Sequence, residues 1–234
     1  MHPLKKAARV AGLFYLVVVI AGPFTLLYVP GKLFVPGNAS ATAAKILEHL
    51  PLFRADIVLS LVSELFFLLT VLALFRLLKG VNLELAALMV ILVLIDVPLA
   101  FLGTANQVAT LKFLTDPGFL SVFDPPQRDA LTLLLTYFDK QGVFVSELFW
   151  GLWLLPLGVL VYKSRFLPRF LGAWLFANGL AYLALSTTGI LWPGYSKGLM
   201  SLMTPFLLGE MALMLWLITV GARVPEEPGR AQLA

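Results

Sequence analysis

Four carboxylates, Glu64, Asp96, Glu147 and Glu210, each interrupt a long apolar run. In such surroundings an acid can hold a hard cation such as Ca²⁺ or Mg²⁺, or carry a proton. It can also be a neutral carboxyl hydrogen-bonded across helices, a packing device worth about 1 kcal/mol. Three of the four stand in similar company. Val62-Ser-Glu-Leu-Phe66 recurs as Val145-Ser-Glu-Leu-Phe149, and Gly209-Glu-Met-Ala-Leu213 is a looser version. Helical spacing adds polar companions. Asp56, Ser60 and Ser63 share a face with Glu64, Gln107 and Thr110 follow Asp96 by way of Ala100 and Gly103, and Asn178, Tyr182 and Ser186 line up on a neighbouring segment. Lys140 shares a face with Phe144, Glu147 and Gly151 and is the one nearby base able to pair, with Glu147 or Asp139. The candidate binding set is therefore Glu64, Asp96, Glu147, Glu210, Lys140, Gln107, Asn178 and Tyr182.

Other chemistries find little support. There is no cysteine, which removes disulfides, thiolate metal sites and cysteine nucleophiles, and the two histidines, His2 and His49, lie at a terminus and in a connector. No phosphate-binding glycine loop or Gly-x-Ser-x-Gly elbow is present, and no cofactor is expected.

The elements that must position the acids are membrane helices. The chain is 60% hydrophobic and only 13% charged over 234 residues, with mean hydropathy +0.92. That is too apolar for an ordinary soluble domain. A span needs about 20 mostly apolar residues, and the sequence has room for six. The expected fold class is all-α, an integral membrane bundle of six transmembrane helices forming one domain over 1–222, with a polar cytoplasmic tail over 223–234. The first span is the apolar run from Ala11 to Tyr28, retained rather than cleaved as a signal. Asn38 or Ser40 caps a short interfacial helix with an apolar stripe of Ala39, Ala43, Ile46, Leu47 and Leu50. Further spans run from Asp56 to Leu78, Leu83 to Leu114, Pro125 to Lys163 with a break near Lys140-Gln141-Gly142, Phe166 to Ser186, and Met200 to Ala222. Asp124 and Pro125 read as the cap and first position of the fourth span.

Lys5, Lys6, Arg9, Arg76, Lys79, Lys163, Arg165, Arg169, Arg223 and Arg230 collect on one side, so both termini are expected in the cytoplasm. The net charge of +4 sits in these loops, and no basic stripe suits a nucleic acid; the partner is the lipid bilayer. Under this topology the second, fourth and sixth spans, which carry the Glu segments, all run inward, as three repeated helical hairpins would. Glu64 is 12 residues from Arg76, Glu210 is 13 from Arg223 and Asp96 is 12 beyond Glu84; these separations are about 18 to 20 Å, near mid-bilayer, while Glu147, 16 residues from Lys163, lies a little further out at about 24 Å. An unpaired ionised carboxylate there costs at least ~2.5 kcal/mol. Polar companions climb outward from the acids while the inner halves are apolar, which predicts an outward-facing polar cavity floored by acids. Gly103, Gly151, Gly172 and Gly209 read as close-packing positions.

Ala8-Arg-Val-Ala-Gly-Leu-Phe-Tyr-Leu16, Val35-Pro-Gly-Asn-Ala-Ser-Ala-Thr-Ala43, Pro51-Leu-Phe-Arg54, Phe166-Leu-Pro-Arg-Phe-Leu-Gly172 and Gly209-Glu-Met-Ala-Leu213 resemble segments of the prokaryotic membrane family catalogued as domain of unknown function 4386. The resemblance covers roughly Lys5 to Ala222. It implies a multi-pass protein of a prokaryotic plasma (inner) membrane and supplies no mechanism. Three function classes follow from the residues: a sensor or transporter-like protein binding a small cationic or amine-bearing solute, a metal cation or a proton; an interaction protein whose acids only lock helices; and an outer-leaflet lipid-modifying enzyme, disfavoured because no nucleophile or histidine base is visible.

Overall fold

The computed structural model describes residues 2–116, 118 and 121–223. Among them every regular element is helical, and six segments are long and apolar enough to cross a membrane. The protein is a six-span membrane bundle. The expected tail over 223–234 lies, except for Arg223, outside the described residues.

The first span comprises α1 (Pro3–Pro23), a π turn (Phe24–Tyr28) and α2 (Val29–Leu33), 31 residues in all. The π turn falls between Pro23 and Pro30, where missing N–H groups loosen the hydrogen-bond ladder. Thr25 Oγ1 donates to Ala21 O at 3.2 Å. The short helix α3 (Ala39–Glu48) is capped by Asn38, whose side chain accepts from Ala41 N at 2.9 Å. Its buried stripe is Thr42, Ala43 and Ile46, while Leu47 is exposed. Ile46 joins Val29, Leu33, Phe53 and Ile57 in a small second core at that end of the bundle.

The second span, α4 (Leu50–Leu78), begins before the expected Asp56, because Pro51 occupies a first-turn position and Phe53 is already packed in that core. It stops, as expected, at Lys79 and Gly80. The third span, α5 (Leu83–Thr115), is capped by Asn82, which accepts from Leu85 N at 2.8 Å. The fourth, α6 (Pro125–Lys163), starts where the sequence places it, with Asp124 and Gln127 in a reciprocal capping box.

The break expected at Lys140-Gln141-Gly142 is absent, and α6 runs unbroken for 39 residues. A single helical glycine costs only about 1 kcal/mol relative to alanine. The segment is also fastened on both sides, by Asn106 Nδ2 donating to Leu135 O at 2.7 Å and Ser186 Oγ donating to Phe144 O at 2.7 Å. At 1.5 Å per residue α6 is about 58 Å long and overshoots the hydrocarbon core. Its first turns hold α3, where Ser40 Oγ donates to Asp129 Oδ2 at 2.6 Å.

The fifth span is α7 (Arg169–Leu191). The sixth departs from the single helix expected over Met200 to Ala222. A 3₁₀ turn (Pro193–Tyr195) leads into α8 (Ser196–Leu207), the chain breaks at Leu208, and α9 (Gly209–Thr219) completes the crossing. Pro205 supplies no N–H to the ladder and Gly209 follows within a turn, so carbonyls are freed at the break. Two residues of α7 one turn apart take them up. Trp174 Nε1 donates to Pro205 O at 3.1 Å and Asn178 Nδ2 to Leu207 O at 3.5 Å.

The spans pack on their neighbours in chain order and the ring closes with α9 against α1. Arg9 donates to Thr219 O at 3.3 Å and Arg223 N to Phe166 O at 2.9 Å, so the basic segments of three spans meet at one end. Behind that end the ring is filled by apolar side chains, among them Leu74, Met89, Leu157, Leu171 and Leu217. Trp153 of α6 sits at its centre, edge-on to Phe67 at 5.1 Å and to Tyr15 at 6.4 Å.

Candidate functional site

The four predicted acids come from four different spans and stand in two groups, Glu64 with Asp96, and Glu147 and Glu210 about Tyr182. Asp96 of α5 is 1% exposed and accepts from Trp150 Nε1 of α6 at 2.9 Å. Ser146 stands beside the same carboxyl. Glu64 of α4 is close enough to Asp96 for their charges to interact. The Trp150 ring packs edge-on against Tyr182 of α7, with centroids 5.8 Å apart. Tyr182 in turn lies between two acids: its hydroxyl reaches Glu210, and Glu147 is within Coulombic range. Glu210 accepts a hydrogen bond from Tyr15 of α1, and the Asn178 amide also reaches its carboxyl. All six spans thus contribute to one polar layer.

Local structure explains how each is held there. Glu210 occupies the first turn of α9, where the positive end of the helix dipole favours an anion. Glu147 and Tyr182 face each other because α6 and α7 approach very closely. A Cβ on Gly151 would lie 2.7 Å from Gly179 O, and one on Gly158 would lie 2.8 Å from Gly172 O. Of the glycines predicted to be packing positions, Gly151 and Gly172 lie in this seam, Gly209 lies against Trp174, and Gly103 faces Asp139 Oδ1.

A second polar layer, here the outer layer, lies nearer the end of the bundle away from the basic segments. Gln107 Nε2 of α5 bridges two carboxylates, donating to Asp56 Oδ2 of α4 and Asp139 Oδ2 of α6, each at 3.3 Å. Asp56 and Asp139 stand eight residues before Glu64 and Glu147 on their helices, so the layers are about 12 Å apart. Gln107 is thus in the outer layer, and the other predicted residues except Lys140 are in the inner one. Lys140 is exposed and, among the described residues, pairs with neither Glu147 nor Asp139. Asp139, its neighbour, is the side chain that turns inward.

Sequence reasoning left four contributors out of the candidate set. Asp56 and Asp139 were visible as acids at helical spacing from Glu64 and Glu147. Trp150 lies one turn beyond Glu147, but its indole N–H does not single it out, since those of Trp153 and Trp216 are buried without an acceptor. Tyr15 carries no signal, because the first span has no acid to mark its inward side.

The layers are rich in unserved acceptors. Asp56 Oδ1, Glu64 Oε1, Asp96 Oδ1, Gln107 Oε1, Glu147 Oε2 and Asn178 Oδ1 are all buried without a hydrogen-bond partner. No lysine, arginine or histidine bonds to any of these acids among the described residues. Glu64 with Asp96, and Asp56 with Asp139, set like charges against each other in low dielectric, where two ionised carboxylates repel. No group of three His, Asp or Glu side chains is placed to hold a metal ion among the described residues. Two surface clefts, one of about 540 Å³ between Trp192 and Leu202 and one of about 330 Å³ against Phe123 and Leu131, touch none of the acids. The acids are packed, with Asp96 and Glu147 at 1% and 5% exposure, rather than spread over the floor of an open cavity.

A family model described as "Domain of unknown function (DUF4386)" matches residues 10–221. No curated protein and no solved structure matches the chain.

Proposed function

The chain belongs to the DUF4386 family, and on that basis we propose that this member, its six spans acting as one unit, binds protons or a small cation in its layered acids as a sensor or transporter-like protein. The observation that carries the reading is the standing of Glu64 with Asp96, and of Glu147 and Glu210 about Tyr182, in one layer with buried acceptor oxygens unserved and no base among them. Positively charged loops cluster at the end away from Asp56 and Asp139, and by the positive-inside rule this supports a topology with both termini in the cytoplasm and the outer acid layer toward the exterior of a prokaryotic plasma membrane. The apolar half behind Trp153 offers no polar route inward, which favours sensing or uptake into the acid layers over free conduction.

The test is thermal unfolding in detergent across pH with a panel of mono- and divalent cations, for wild type and Glu147→Gln. A stabilisation by proton or cation that shrinks in the variant is the expected result. If wild type responds to neither, the reading fails. The close packing of the acids supports a second reading, in which neutral carboxyls only lock neighbouring helices. That reading gains if Glu147→Gln leaves every response unchanged.

A further inference from the structure

Gln107 of α5 uses its amide nitrogen twice, donating to Asp56 Oδ2 of α4 and to Asp139 Oδ2 of α6, each at 3.3 Å. The amide oxygen Oε1 is buried and receives nothing, and Asp56 Oδ1 is in the same position. Asp56 is only 2% exposed, so bulk water does not serve it. Buried polar atoms are as a rule paired. Here two acceptors without a donor belong to two groups that are already bonded to each other through their other atoms, and a single hydrogen serves both.

We propose that Asp56 is a proton-binding site, with the bound proton on Oδ1 donated to Gln107 Oε1 so that carboxyl and amide close into a two-bond pair. The inference rests on the acid-layer reading and names its ligand and the seat of that ligand. A protonated carboxyl carries one O–H donor beside an accepting oxygen, and a primary amide carries the complementary N–H and C=O. One of the two bonds, from Gln107 Nε2 to Asp56 Oδ2, is already made. The second amide hydrogen stays on Asp139, the ionised partner. Turning the amide over would set Oε1 against two carboxylate oxygens, so the orientation found is the one that a single proton completes.

The surroundings fit a proton rather than a metal ion. The two carboxylates face an N–H donor, no three acids converge among the described residues, and neither surface cleft touches this layer. A proton needs no cavity. Charge acts in the same direction: Asp139 is within Coulombic range of Asp56, and two anions side by side in low dielectric repel until one is neutralised. Other charged groups on the elements around the pair stand off. Lys32, Lys45, Glu48, Arg54 and Lys140 are exposed, Lys112 is paired with Asp116 at 2.7 Å, and His49 lies two turns before Asp56 at the start of α4. Glu64 and Glu147 are about 12 Å away along their helices.

The experiment follows two signals across pH on the full chain in detergent, the infrared C=O band of protonated carboxyls and the unfolding midpoint, for wild type, Asp56→Asn and Asp139→Asn. The wild-type band is expected to contain a component that disappears as pH rises, is missing from Asp56→Asn and is kept in Asp139→Asn. A folded state that holds a proton which the unfolded chain has released loses stability as pH rises, until that proton leaves. The wild-type midpoint should therefore fall over that range. In Asp56→Asn the introduced amide makes both bonds with Gln107 at every pH, so the midpoint should match that of wild type at acid pH and fall less. If Asp56→Asn keeps the whole band, or unfolds below wild type at neutral pH, Asp56 works as an ionised carboxylate and the site is overturned. A pH or cation response that survives in this variant then leaves the wider reading standing on the inner acids, whereas a wild type that responds to neither ends both. Should Asp56→Asn not fold, Gln107→Leu decides. Loss of the acceptor for the O–H should move the carboxyl band to higher frequency, and an unmoved band overturns the pair.

Discussion

Trp150 ties the inner layer together at the level of single side chains, giving its one donor to Asp96 while its ring supports Tyr182. Replacing it with phenylalanine keeps a ring and removes the donor. Trp150→Phe is therefore expected to cost about 1.5 to 3 kcal/mol, the usual range for a hydrogen bond to a charged or buried acid. Combining it with Asp96→Asn should cost less than the two single changes added, because both remove the same bond. Strict additivity in detergent unfolding would mean that the bond contributes nothing. Lys140 gives the opposite expectation. Lys140→Gln should lie within about 0.5 kcal/mol of wild type, as befits an exposed side chain without an ion pair. The sequence places Lys140 and Glu147 on one face, seven residues and two turns apart, and that spacing is sound. It fails as a pairing because, in the register of Gly151 with Gly179 and Gly158 with Gly172, Lys140 stands level with the last turn of α7. The neighbour that buries Glu147 ends there.

Between elements, the α6–α7 seam decides where the acids can stand. Phe144, Gly151 and Gly158 on α6 recur every seven residues and meet Ser186, Gly179 and Gly172 on antiparallel α7. On α7 the repeat Gly172, Gly179, Ser186 is small throughout, and a seven-residue period of small side chains keeps two helices in close contact along a left-handed crossing. Gly172→Ala would bring a Cβ to 2.5 Å from Tyr162 N, with backbone unable to yield, and is expected to destabilise by about 1 to 3 kcal/mol. Gly142→Ala is the internal control. Nothing lies within 4 Å of a Cβ there, so it should be neutral or stabilise by up to about 1 kcal/mol. Equal unfolding midpoints for the two variants would remove the seam as a determinant. Individual glycines were legible as packing positions, but their pairing was not, since Gly158 and Gly179 become meaningful only with the antiparallel register in hand. The broken last span was legible in principle. Pro205 and Gly209 are helix breakers separated by one turn, yet the apolar run continues through them and length alone reads as one helix.

Across the whole molecule, the ring of spans in chain order turns four separate depths into one layer. Sequence spacing supplies the depth of Glu64, Asp96, Glu147 and Glu210 from the nearest loop charge, and that is why their shared level could be read. It does not supply the rotation of each helix about its own axis, which depends on contacts such as Tyr15 with Glu210 and Trp153 with Phe67. The orientation of the ring in the membrane is open to direct measurement, because the chain contains no cysteine and any introduced thiol is unique. Val122, 84% exposed and next to the start of α6, lies at the end that carries Asp56 and Asp139, whereas Lys163 closes α6 at the basic end. In intact cells a membrane-impermeant maleimide should label Val122→Cys and leave Lys163→Cys unlabelled until the membrane is permeabilised. That pattern puts Asp56, Gln107 and Asp139 toward the outside, so that a cation reaches the outer layer first and the inner layer about 12 Å later. The reverse pattern would turn the acid layers toward the cytoplasm, set the loop charges against the positive-inside rule, and make the protein a reader of internal rather than external ions.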